Sequence, residues 1–134
     1  MRKLTFFLIA LFTMQVVLGQ EKKEDKTPGP EITIEEASHD FGDITQGEKV
    51  SAKFKLKNTG DQPLILQNVL VTCGCTATKW PREPIEAGKT GEIEVSFNST
   101  GKMGQQNKII TIVSNAKETH KRVKIKANVL PKSS

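Results

Sequence analysis

The chain has 134 residues, of which 36% are hydrophobic and 26% charged. That balance fits one small globular domain and excludes both a disordered chain and a two-domain enzyme. Lysine and arginine number 20 against 15 acidic residues; without Arg2 and Lys3 the balance is 18 against 15, a net +3. So mild an excess is no footprint for nucleic acid, which needs lysine and arginine clustered on one face. Two histidines, two cysteines, one tryptophan and no tyrosine leave acid–base catalysis and a metal cage little to draw on.

Residues 1–19 read as a secretory signal. Arg2 and Lys3 form a short basic region, Leu4 to Leu18 is mostly apolar, Gly19 is small, and Gln20 opens a polar stretch. The competing reading is an uncleaved anchor. The apolar part, about 13–15 residues broken by Thr13 and Gln15, falls short of the ~20 that a spanning helix needs. No cysteine ends the apolar region to carry a lipid. The expected mature chain starts at Gln20, has no stable membrane span, and works in the periplasm, at the cell surface or in the medium, where cysteines meet an oxidising milieu. Residues 20–30 include EKKEDKTPGP, with alternating charge and nothing large and apolar, and are expected to form a flexible linker. The domain is expected over 31–131, with 132–134 as a tail.

From Glu31 the pattern acquires period two. Ile32 and Ile34 predict a first strand, and Phe41 and Ile44 are apolar pegs around a turn at Asp40-Phe41-Gly42-Asp43. Val50, Ala52, Phe54 and Leu56 alternate with Ser51, Lys53, Lys55 and Lys57, the clearest half-buried strand in the chain. Asn58-Thr59-Gly60-Asp61 carries the chemistry of a hairpin-type turn. Leu64 to Val71 is nearly continuously apolar and fits a central strand bulged at Gln67 and Asn68. After Cys73-Gly74-Cys75, Ala77 to Trp80 is short and β-prone. Pro84-Ile85-Glu86-Ala87-Gly88 reads as an edge segment ended by a glycine turn. Ile93, Val95 and Phe97 alternate again, Ile109 to Val113 is apolar on both faces, and Val123, Ile125, Ala127 and Val129 make the last strand.

About seven short strands with turn signals between them, and no helical pattern, argue an all-β, Ig-like antiparallel β-sandwich. The alternative is an up-and-down barrel.

Several motifs stand together in this frame: His39-Asp40-Phe41-Gly42-Asp43-Ile44, Asn58-Thr59-Gly60, Val71-Thr72-Cys73-Gly74-Cys75-Thr76 and Pro84-Ile85-Glu86-Ala87-Gly88. They resemble a family of secreted bacterial domains of unknown function, marked by an acidic-Phe-Gly motif, an Asn-Thr-Gly turn and a Cys-Gly-Cys-Thr motif. That family is similar to the Ig-like domains of Hydin and of major sperm protein. The resemblance covers Ile32 to Val129 and implies an Ig-like fold and an exported compartment; it brings no catalytic residue and no cofactor.

The remaining candidates are weak beside their structural explanations. Gly101-Lys102-Met103-Gly104 lacks the strand–loop–helix setting of a phosphate loop. His39 and His120 are expected at the surface or in turns, and Glu92 and Glu94 as solvated decoration of one strand face. The rows Lys53/Lys55/Lys57 and Arg122/Lys124/Lys126 are expected on opposite sheets, where outward charge protects against edge-to-edge pairing. Asn98-Ser99-Thr100 matches the glycosylation triplet, a short pattern common by chance. Trp80 is either an exposed stacking platform or packing beside Pro81, and the second is favoured.

That leaves Cys73 and Cys75. One intervening residue in a strand puts both side chains on the same face. A disulfide is the expected state outside the cytoplasm, with Gly74 bending the chain to shorten the separation; two thiolates for a soft metal such as Cu(I) or Zn²⁺ are the alternative. The expected function is that of an exported, non-enzymatic module that binds an unspecified protein or envelope partner or gives structural support, without nucleic acid or cofactor. The alternative is a redox or metal-handling role for the cysteine pair.

Overall fold

A computed structural model describes Gly19 and residues 28–133. The expected signal, apart from Gly19, and the expected linker up to Thr27 lie outside the described residues. Eight strands follow in chain order: β1 (Ile32–Ile34), β2 (Ser38–Thr45), β3 (Lys49–Asn58), β4 (Leu66–Val71), β5 (Thr76–Lys79), β6 (Thr90–Asn98), β7 (Gly104–Ser114) and β8 (His120–Leu130). They form two four-stranded sheets, ordered β1-β3-β6-β5 and β2-β8-β7-β4. No helix occurs among the described residues, so none there is long and apolar enough to cross a membrane.

The sandwich exists because the period-two residues bury one face of each sheet. Ala52, Phe54 and Leu56 of β3, Ile93, Val95 and Phe97 of β6, Ile110 and Ile112 of β7, and Val123, Ile125, Ala127 and Val129 of β8 share one core. Val50 is only half-buried, at the end where β3 reaches the rim. Fully burying each valine, leucine, isoleucine or phenylalanine of this set is worth about 1.5–3 kcal/mol, and the alanines less.

Three expectations are corrected. The turn expected around Phe41 is a strand, which raises the count to eight; it pairs parallel to β8, so that sheet is mixed. The Asp40-Phe41-Gly42 motif makes a bulge, with the register shifting between Asp40 and Asp43. Gly42 takes φ +69, and its N–H donates to Asp40 Oδ1 at 2.8 Å, a local bond that turns the chain out of the ladder.

The second correction concerns β4, expected in the centre but lying at a sheet edge. Its apolar run is not buried on both faces: Leu70 is 47% exposed and Ile65 43%. The register shifts between Leu66 and Asn68, so the bulge stands where the two amides predicted it. Asn68 also accepts the Val69 N–H on its own Oδ1 at 2.9 Å. A donor that would otherwise invite another strand is thereby occupied.

The third is Asn58-Thr59-Gly60, which closes no hairpin: it ends β3 in one sheet, and the chain crosses to β4 in the other. The segment before β1 lies over it. Gly29 donates its N–H to Asp61 Oδ1 at 2.7 Å, and Lys117 donates its N–H to the Pro30 carbonyl at 3.1 Å. Gly29 and Pro30 are buried, so the packed domain takes in these two residues of the expected linker.

Candidate functional site

β1 is short and leaves part of β3 uncovered. Its three residues pair only with Asn58, Lys57 and Leu56, and the chain then leaves for β2 in the other sheet. The Asn58 N–H donates toward β6, to the Lys89 carbonyl, whereas the Thr59 N–H donates the other way, to the Glu31 carbonyl. Alternation along an antiparallel strand therefore points the backbone N–H and C=O groups of Lys53 and Ser51 away from β6, to the side where no described strand pairs with them, beyond the last β1 pair at Ile34 and Leu56. A depression of about 230 Å³ lies there, lined by Glu35, Glu36, Ser38, His39, Lys53, Phe54 and Lys55. His39 leans edge-on against Phe41, ring centroids 4.6 Å apart.

The charged rows differ. Lys53 and Lys55 stand opposite Glu94 and Glu92, and Lys53 Nζ lies 3.9 Å from the Glu92 carboxylate. Arg122, Lys124 and Lys126 stand opposite Thr111, Ile109 and Asn107 of β7, with Asp40 of β2 beside Lys126. The two rows lie on different sheets, as expected, and do not merge.

Cys73 and Cys75 occupy the turn between β4 and β5, not a strand. Their sulfurs lie at disulfide distance and their Cα atoms are 5.2 Å apart, well inside the separation of an extended strand. The turn is closed by the Thr76 N–H donating to the Cys73 carbonyl at 3.1 Å and anchored by the Asn98 N–H donating to the Cys75 carbonyl at 2.9 Å. The bend does not depend on a glycine-only conformation: Gly74 has negative φ, and a Cβ there would meet nothing within 4 Å. Among the described residues no group of three or more His, Cys, Asp or Glu side chains comes together around a metal position.

Trp80 packs against the core while the Arg82 guanidinium lies 3.8 Å over its ring, which favours packing over an open stacking platform. His39 and His120 are exposed, the latter 2.9 Å from Thr119 Oγ1.

Two polar residues that composition did not single out organise the ends. Asn58 is fully buried: its Nδ2 donates to the Gln62 and Ile85 carbonyls, and its Oδ1 accepts the Gly60 N–H. Ser99, the centre of the glycosylation triplet, is equally buried. Its hydroxyl donates to the Glu48 carbonyl at 2.7 Å and accepts the Gly47 N–H, latching the β2–β3 turn. Asn98 and Ser99 share an Asn/Ser-rich run that reads as a loop, so no periodicity signal could have found this role.

A protein of unknown function from Porphyromonas gingivalis W83 is 20% identical, with TM-score 0.66 over 75% of this chain and 47% of that one. This chain thus spans about half the length of that protein. The ASH/PapD-like domain 7 of human CEP192 is 14% identical, with TM-score 0.66 over 87% of this chain and 97% of the domain. The secreted serine protease VesC of Vibrio cholerae is 17% identical, with TM-score 0.59 over 78% of this chain but only 24% of the protease. At these identities the likeness shows the fold alone, an Ig-like, PapD-like β-sandwich. No curated protein matches the chain. The sequence signature described as protein of unknown function (DUF1573) matches residues 32–129, and the chain belongs to that family.

Proposed function

We propose that the protein is an exported, non-enzymatic binding module that takes up an extended segment of a partner protein along the open stretch of β3. The observation that carries this reading is the unpaired edge at Ser51 and Lys53 beside the depression that Phe54 helps to line. Strand addition satisfies such an edge with main-chain hydrogen bonds, and side-chain alternation supplies the selectivity. Outward positions of an added strand meet Lys53 and Lys55, and inward positions meet Phe54 and the half-buried Val50. The segment that fits alternates acidic and apolar residues. The basic–apolar–small order from Arg2 to Gly19 supports export to the periplasm or cell surface, where such a module binds or braces an envelope protein.

Peptides selected on the purified chain, followed by amide hydrogen exchange, test the reading. Bound peptide is expected to slow exchange at Ser51 and Lys53 and to leave the Ala52 and Phe54 amides, directed toward β6, unchanged. Protection confined to other strands, or no binding of acidic–apolar peptides at about 1 mM, contradicts it.

A further inference from the structure

The two sulfurs of the β4–β5 turn have different surroundings. The Cys75 N–H donates to Cys73 Sγ at 3.1 Å. Cys75 itself packs on the core and borders a depression of about 190 Å³ that Lys49, Ser96 and Asn98 also line. Both cysteines are half-buried as residues.

We propose that Cys73 and Cys75 form a reversible exchange site for dithiols, in which an incoming thiolate attacks Cys75 Sγ and Cys73 is the leaving group. A new S–S bond forms between the incoming sulfur and Cys75 while the Cys73–Cys75 bond breaks, and the electron pair leaves on Cys73. The second thiolate of the same dithiol then attacks its partner sulfur in the mixed disulfide and releases Cys75. Two electrons and two protons pass to the protein, and the dithiol becomes a cyclic disulfide.

Three features support this assignment. A hydrogen-bond donor on Cys73 Sγ stabilises its thiolate, and the sulfur of lower pKa leaves faster. Lys49 lines the approach to Cys75 and attracts an anionic attacker. The backbone bonds that hold the turn, from Thr76 and Asn98, do not involve the sulfurs. With a sequence separation of only 2, the bond restricts the unfolded chain little, so its reduction is not opposed by the stability of the sandwich. The site is independent of strand addition, since the turn adjoins β5 at the opposite edge of the sheet from β1.

Purified full chain is equilibrated with reduced and oxidised dithiothreitol in graded ratio, alkylated and analysed by mass spectrometry, with circular dichroism in parallel. Reversible reduction with an unchanged β-sheet spectrum is expected. Both cysteines found free before any reductant is added, or no reduction until the fold melts, overturns the proposal. In reduced protein at pH 7, Cys73 is expected to alkylate about threefold faster than Cys75, because more of it is thiolate although each thiolate is less reactive; equal rates overturn the leaving-group assignment. Lys49→Gln is expected to slow reduction by mercaptoacetate several-fold and to spare reduction by cysteamine; equal effects on both remove Lys49 from the site. The double variant Cys73→Ser/Cys75→Ser is expected to fold with the parent spectrum, and its failure to fold would make the pair a structural staple instead.

Discussion

The carboxamide of Asn58 donates to the carbonyl of Ile85 at 2.8 Å, across 27 residues of sequence. The same carbonyl accepts the Leu64 N–H, and Ile85 returns its own N–H to the Leu64 carbonyl. The last inward position of β3 is therefore a polar hub, tying the crossing to β4 to the loop that precedes β6. A side chain at 0% exposure keeps this place because its amide donors and its oxygen all find partners.

Asn58→Ala should leave the Gly60 N–H and the Gln62 carbonyl without their partner. A fully buried group left unpaired costs about 1–3 kcal/mol; both of these are part-buried, which favours the lower half of that range, so a total loss of about 2–4 kcal/mol is expected in urea unfolding. A change below about 1 kcal/mol would show that water replaces the amide.

Gly60 and Gly74 should respond oppositely to alanine. A Cβ on Gly60 meets the Gly29 carbonyl and the Glu31 nitrogen at distances no real Cβ occupies. Gly60→Ala must push the segment around Gly29–Glu31 off the domain, and faster amide exchange from Glu31 through Ile34 should report it. Gly74→Ala enters open space at negative φ and should change stability by less than about 0.5 kcal/mol.

Phe54→Ala and Phe97→Ala each vacate the shared core, where the rings are 3% and 1% exposed. A loss of about 3–5 kcal/mol apiece is expected from equilibrium denaturation. Lys55→Ala, on the outward face next to Phe54 and opposite Glu92, should cost well under 1 kcal/mol. Equal losses for all three would mean that the register is shifted by one.

Asn68→Val should promote self-association. It frees the Val69 N–H on an edge strand that already exposes Leu70, and it raises the β-propensity of the run. Light scattering should show a concentration-dependent increase in mass for the variant and none for the parent; identical behaviour would deny the side chain its protective role.

Exported protein should begin at or near Gln20 and need no detergent. Intact mass decides this, and a detergent-requiring form that retains residues 1–19 would restore the anchor reading.

The sequence by itself determined the all-β class, the strand faces and most of the core. These follow from local alternation: Phe54 and Lys55 are neighbours that must face opposite ways in any pleated strand, whatever pairs with it. It also marked Cys73 and Cys75 as a pair by their spacing, while the turn that shortens their separation, anchored by the Asn98 N–H on the Cys75 carbonyl, belongs to the fold. Only the tertiary structure decided which strands are edges. Leu64 to Val71 reads as central because apolar content reports burial, not position, and an edge strand that keeps Leu70 exposed breaks that equivalence. It decided that the Phe41 segment is a strand, since its partner is β8, far along the chain. It decided that Gly60 must be glycine because Gly29 and Pro30 lie on it, and that Asn58 is a hub because Ile85 comes to it. The open edge of β3 likewise arises from where β1 stops and the chain changes sheets, a long-range event that no periodicity in β3 itself records.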